Sequence, residues 1–188
     1  MSRWVWVVVA AMACGGTDPE AVIGGVEASL ASSDYAAAVA AADAALAVGG
    51  LEPAVAWRLE SKRLEAIARS GKGTDALSTL DRLAAAYPAQ VKAGSYLAAA
   101  EQVKAGGDAT GAIHVLDGGL KRFAGDAELT AAVEAAKAGG SDEENAALEA
   151  LGYLGDVGGA EEAPAGSAAE AAPAGSAPAG SAPAAAHP

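Results

Sequence analysis

Ala76-Leu77-Ser78-Thr79-Leu80-Asp81-Arg82-Leu83-Ala84-Ala85-Ala86-Tyr87-Pro88 carries apolar side chains at 76–77, 80, 83–84 and 87, then meets a proline. Steps of i, i+4, i+7 and i+11 put these residues on one stripe of an α-helix. The same rhythm stands upstream at Ala38-Val39, Ala42 and Ala45-Leu46, and downstream at Ala112-Ile113, Leu116, Gly119-Leu120 and Phe123. The anchors Ala38, Ala76 and Ala112 are spaced by 38 and 36 residues. A period of that size predicts stacked helix pairs. A lone pair cannot bury its stripe, so copies must lean on one another, and the stack leaves an extended surface for partners.

Composition points the same way. The hydrophobic fraction is 52% but aromatics are only 4%, so the apolar content comes from small side chains that let helices approach closely. Ala loses no rotamer entropy in a helix, yet it buries far less than the roughly 1.5–3 kcal/mol of a Leu or Phe. The expectation is an all-α body of modest stability.

The chain is expected to begin with a targeting segment at 1–13. Arg3 precedes an apolar run from Trp4 to Met12, too short for a bilayer core that needs about 20 helical residues. A charged start, a short apolar middle and small residues at a cut site describe a secretory signal peptide. Cys14 is the one cysteine of the chain, so it has no intramolecular disulfide partner. Ala11-Met12-Ala13-Cys14-Gly15 resembles the lipobox of bacterial lipoproteins, with Ala11 where that motif usually has Leu. The resemblance implies that Cys14 is diacylated, becomes the new N-terminus and ties the protein to a membrane; two or three acyl chains suffice for stable anchoring. Gly15 rather than Asp after the cysteine implies the outer membrane. The alternative is ordinary cleavage at Ala11-x-Ala13.

Residues 14–19 then form a tether, 20–156 the helical body and 157–188 a tail. Within the body, Gly49-Gly50, Gly106-Gly107 and Gly139-Gly140 punctuate the periodic runs as helix ends do. Pro53 suits a first helical turn and Ser141-x-x-Glu144 reads as a capping box. The spacing predicts helices at 20–31, 34–48, 53–70, 74–86, 90–105, 109–122, 126–138 and 142–151. In the tail, Pro-Ala-Gly-Ser-Ala recurs at 164–168, 173–177 and 178–182 with no Lys or Arg. Such a composition lacks the bulky apolar groups that offset ordering entropy, and predicts disorder.

The helix pairs resemble tetratricopeptide repeats. Ala76, Leu80, Leu83 and Pro88 reproduce the spacing of that family's second helix, and Tyr96, Ala99, Ala100 and Val103 that of its first. The pair at 53–87 departs from it with Glu60 and Arg63 at apolar positions, and the leading helix of the first pair is weakened by Gly25, Val26 and Ser29. The resemblance implies about three antiparallel helix-pair units over 20–125, closed by capping helices at 126–151. It also implies a concave face, lined by the leading helices, where partner proteins lie as extended peptides. Carried over at matched offsets, it places Arg58, Ser61, Glu65, Ala68 and Arg69 on that face, followed by Leu97, Glu101 and Lys104. The Lys/Asn clamp that grips a C-terminal carboxylate in chaperone-binding members is absent.

Net charge is −12; removing Arg3 with the leading segment leaves 11 cations against 24 acids, or −13. That balance disfavours nucleic acid and anionic membrane surfaces as partners. Cations nevertheless cluster at Arg58, Lys62, Arg63, Arg69 and Lys72. They read either as a docking site for an acidic peptide or, with Glu65 and Arg69 at i, i+4, as a solvated helix face; the second is favoured.

No catalytic constellation is legible. His114 has Asp117 at i+3 but no nucleophile or second ligand at fitting spacing, and His187 lies in the tail. No HExxH, phosphate loop, Gly-x-Ser-x-Gly or Cys pair occurs, so no metal, cofactor or small-molecule substrate is expected. Leu148, Leu151 and Leu154 concentrate bulk at the end of the body and predict a terminal cap over the last repeat. The leading expectation is a lipid-anchored, non-catalytic interaction scaffold of the bacterial cell envelope. The alternative is a structural spacer or surface stalk whose tail makes the contacts.

Overall fold

A computed structural model describes residues 18–154. Cys14, the segment 1–13 and the tail 157–188 lie outside the described residues. Eight helices and no strand are found among those described: α1 (Pro19–Ala31), α2 (Tyr35–Val48), α3 (Pro53–Arg69), α4 (Gly73–Ala86), α5 (Ala93–Ala105), α6 (Ala109–Arg122), α7 (Ala127–Gly139) and α8 (Asp142–Ala150).

Local chemistry sets most boundaries. Pro19 and Pro53 open α1 and α3, where a missing N–H costs nothing. Asp34, Asp108 and Asp126 cap α2, α6 and α7 through their carboxylates. Ser141 and Glu144 form both halves of the capping box at α8: the Ser141 N–H donates to Glu144 at 2.9 Å and the Glu144 N–H to Ser141 Oγ at 3.3 Å. The spacing places α5 at residue 90, whereas it starts at Ala93. After Pro88 the Gln90 and Val91 N–H groups both donate to the Tyr87 carbonyl, at 3.0 and 3.1 Å, which makes a turn and tucks Val91 into the core.

Consecutive helices pack as antiparallel pairs, and alternate helices also touch: α1, α3, α5 and α7 form one layer, and α4, α6 and α8 meet in the other. The repeat rhythm explains the layers, because Ala76, Leu80, Leu83 and Ala84, then Ala112, Ile113 and Leu116, are all buried. Each of the fully buried leucines contributes roughly 1.5–3 kcal/mol. Tyr96, Ala99, Ala100 and Val103 are buried as well. At the C-terminal end Leu148 is fully buried, Leu151 and Leu154 pack on the same cluster, and the Tyr153 hydroxyl donates to Asp117 at 3.1 Å. This segment closes the stack as a cap.

Among the described residues two apolar cores meet on α3, with Val39 of α2 packed against both. Leu59 and Ala66 join Ile23, Val26, Leu30, Ala38 and Ala42; Ile67 and Ala68 join the larger cluster that runs through α4 to α8. Glu60, a polar intrusion in the stripe, is buried and paired bidentately with Arg82 at 2.6 Å on both oxygens, and this carboxylate holds the Arg82 guanidinium above its usual range.

The second layer is interrupted at one place. Helices α4 and α6 approach so closely that a Cβ on Gly73 would overlap the Gly111 backbone, and one on Gly71 would stand 2.5 Å from the Gly106 carbonyl oxygen. Asp108 fastens both helix starts, accepting from Gly111 N–H at 2.7 Å and from Gly73 N–H at 2.9 Å. Between α2 and α4 no Cα atoms come within 8 Å; instead a cleft of about 830 Å³ opens, floored by Arg63, Ile67 and Ser70 of α3 and its C-cap.

Candidate functional site

Among the described residues, two hollows open between successive leading helices from α3 to α7. The first, about 210 Å³, lies between α3 and α5 over Leu80 and Leu83 of α4. Trp57, Ser61, Leu64 and Glu65 form one wall; Ser95, Ala98, Ala99 and Gln102 form the other. The second, about 300 Å³, lies between α5 and α7 over Ala112, Ile113 and Leu116 of α6. Leu97, Ala100, Glu101 and Lys104 form one wall; Ala132, Ala135, Ala136 and Gly139 form the other.

These are one site built twice. Adding 36 to Ser61, Leu64, Glu65 and Leu80 gives Leu97, Ala100, Glu101 and Leu116; adding 37 to Ser95, Ala98, Ala99 and Gln102 gives Ala132, Ala135, Ala136 and Gly139. Ala98 and Ala99 on one second wall, and Ala132, Ala135, Ala136 and Gly139 on the other, fill little of the space between neighbouring helix axes. A trailing helix lies beneath each as an apolar floor.

The seven groove candidates divide among three places. Ser61 and Glu65 line the first hollow, and Leu97, Glu101 and Lys104 the second. Arg58 lines neither: it reaches α1, where its guanidinium meets Glu20 at 2.7 Å. Arg69 is exposed and folds back onto Glu65 at 2.8 Å. Ala68, expected beside them, is completely buried in the larger core and offers a partner nothing. The walls contributed by Trp57, Ser95, Gln102, Ala132, Ala135 and Gly139 were not legible as site residues. The 37-residue recurrence between α5 and α7 is the signal that marks four of the positions on the second walls.

The cation cluster is engaged within the chain. Arg63 pairs with Asp43, and Lys62 lies 3.7 Å from Glu27 and 3.2 Å from Glu65. With Arg58 and Arg69 also paired, four of the five cations bond to acids of this protein, as a solvated, ion-paired helix face does.

The two hollows differ in charge. Glu65 on the first is neutralised by Lys62 and Arg69. On the second, Lys104 is drawn to the buried Glu144 at 2.7 Å, and Glu101 is exposed with no cation in ion-pair range among the described residues. Burial raises the Glu144 pKa, but Lys104 and the Ser141 capping bonds outweigh it and hold the carboxyl below its usual range. The Ser61 hydroxyl oxygen is shut off from solvent and has no hydrogen-bond partner in the first wall.

His114 is half-buried, and Asp117 is held by Tyr153 and by Lys121 at 2.7 Å. Among the described residues no group of three or more His, Cys, Asp or Glu is placed to hold a metal ion, and no helix is long and apolar enough to cross a membrane.

No protein-family model, curated protein or solved structure matches this chain.

Proposed function

We propose that this protein is a lipid-anchored, non-catalytic interaction scaffold of the bacterial cell envelope, tetratricopeptide-like in its use of a leading-helix face to hold partner proteins or extended peptides. The single observation that carries the reading is the repetition of one hollow at a 36- to 37-residue spacing, since a site built twice along a stack suits a ligand that is itself extended. The lipobox-like Ala11-Met12-Ala13-Cys14 supports attachment through Cys14 to the outer membrane. No nucleic acid, cofactor or small-molecule substrate enters the proposal.

A photo-crosslinking side chain placed at Ala98 or Ala135, both exposed on the hollow walls, should capture a discrete envelope protein in living cells. The same group at Ala85, exposed on α4, should not. Equal capture from both faces, or none from the hollows, refutes the scaffold reading. Cys14→Ala should move the protein from the membrane fraction to the soluble one; unchanged fractionation refutes the anchor.

A further inference from the structure

The repeated hollow also specifies a ligand. Resting on the scaffold reading above, we infer that the face binds an extended polyproline-II segment with bulky apolar residues at i and i+3 and a Lys or Arg beside the second of them.

The spacing follows from helix packing. Successive hollows are offset by one helix-to-helix step, and packed helices stand about 8–10 Å apart. A polyproline-II strand has three residues per turn and rises about 3.1 Å per residue, so positions i and i+3 share one edge about 9 Å apart. A β-strand would turn residue i+3 to the opposite side, since its side chains alternate. Each hollow has an apolar floor, Leu80 with Leu83 in one and Ile113 with Leu116 in the other, that suits one aliphatic side chain.

The charge follows from the ion pairs. Glu65 already has Lys62 and Arg69, so the first hollow selects for no charge. Glu101 has no cationic partner among the described residues, and the neighbouring Lys104 is committed to Glu144. A basic side chain next to the second apolar residue meets Glu101, whereas an acidic one is repelled there and by the chain's net charge of −12. The protein's own tail does not qualify as occupant: residues 158–188 carry Glu161, Glu162 and Glu170, no Lys or Arg, and no bulky aliphatic side chain.

The test is fluorescence anisotropy of dye-labelled peptides with the full chain at low salt. The probe Leu-Pro-Ala-Leu-Arg-Pro should bind about tenfold more tightly than the same peptide with Glu for Arg, a ratio expected of a partly exposed ion pair exchanged for a like-charge contact. Glu101→Gln, at an exposed and unpaired residue, should shrink that ratio to about twofold, and 0.5 M salt should do the same. Replacing either Leu of the probe with Ser should abolish binding, as should Ala135→Phe, which fills the second hollow. Equal binding of the Arg and Glu probes, or a ratio that survives Glu101→Gln, overturns the inference. So does a gain in probe affinity on deleting 158–188, which would make the tail the occupant. Envelope crosslinks from Ala98 and Ala135 that persist while the probes fail would sink this ligand and leave the scaffold standing; loss of both would sink the two together.

Discussion

Helices α4 and α6 touch backbone to backbone, while α2 and α4, one unit earlier in the same layer, stand apart across a cleft of about 830 Å³. The difference lies in five positions. At the repeat offsets of 38 and 36 residues, Ser33 and Tyr35 stand in α2's unit where Gly71 and Gly73 stand in the next. Likewise Ser70, Asp75 and Arg82 occupy the places of Gly106, Gly111 and Gly118. Each glycine of the later interface lies where a side chain would strike the neighbour, Gly118 against Leu77 included. Helix approach in this stack thus tracks the absence of Cβ atoms in the turns and on the facing helices, beyond the apolar stripe, which α2 also carries. Where the glycines are missing, the layer opens and the first pair keeps a core of its own with α3.

Breaking the tight interface should give the largest effect. Gly111→Ala forces a Cβ into Asp108 and the Gly73 backbone and should cost about 2–3 kcal/mol, read as a lower denaturant midpoint at unchanged slope. The equivalent change on the open side, Asp75→Ala, should cost less than about 0.5 kcal/mol because that residue is exposed beside the cleft. Similar losses from both would remove the distinction between the interfaces.

Asp108→Ala should follow, at about 2 kcal/mol, since one carboxylate satisfies helix-start N–H groups in two repeats. Asp34→Ala, which loses a single cap bond to the Ala37 N–H, should cost about 1 kcal/mol. Equal penalties would mean that the bond across the repeats adds nothing.

Titration sharpens the contrast further. The folded-state pKa of Glu144 is depressed, so its contribution is present above the ordinary carboxyl value of about 4.3 and is lost as pH falls through the folded value. Glu144→Gln should cost about 1 kcal/mol at neutral pH and flatten that acid limb. Tyr96 behaves oppositely. Burial and its bond to Asp81 at 2.9 Å raise its pKa, so its contribution is complete below about pH 10 and is lost as pH rises from there through the raised folded value. Alkaline denaturation of Tyr96→Phe should lack this upper limb.

One small change should be a gain. Ser33 sits at φ +59°, a left-handed conformation that its repeat counterparts Gly71 and Gly107 adopt without a Cβ. Ser33→Gly should stabilise the first pair by about 0.5–1 kcal/mol, seen as slower amide exchange in α1 and α2.

Much of this architecture was legible in the chain because helix signals are local. Pro53, the Ser141–Glu144 box and the 36- to 38-residue rhythm each act over a few residues or recur, so seven of the eight helix starts fall within one residue of expectation. The start of α5 escaped because Tyr87 gathers two N–H groups in a turn that no periodicity encodes. What lay hidden depends on a neighbour unit. Asp108 reads as a cap for its own helix and gives no sign of reaching Gly73, while Glu60 reads as a flaw until Arg82 arrives from α4. The leading-helix face was half legible for the same reason. Matched offsets carried Ser61, Glu65, Leu97, Glu101 and Lys104 to the hollows, but Arg58 follows Glu20 of α1, and Ala68 is spent on the core.

The Trp57 ring stands 5.2 Å from that of Tyr87 and forms part of the first hollow's wall. It is the sole indole among the described residues. With Trp4 and Trp6 replaced by Phe, the emission colour of this protein should respond to whatever settles over α3 and α5, giving it an intrinsic optical gauge of occupancy that needs no dye.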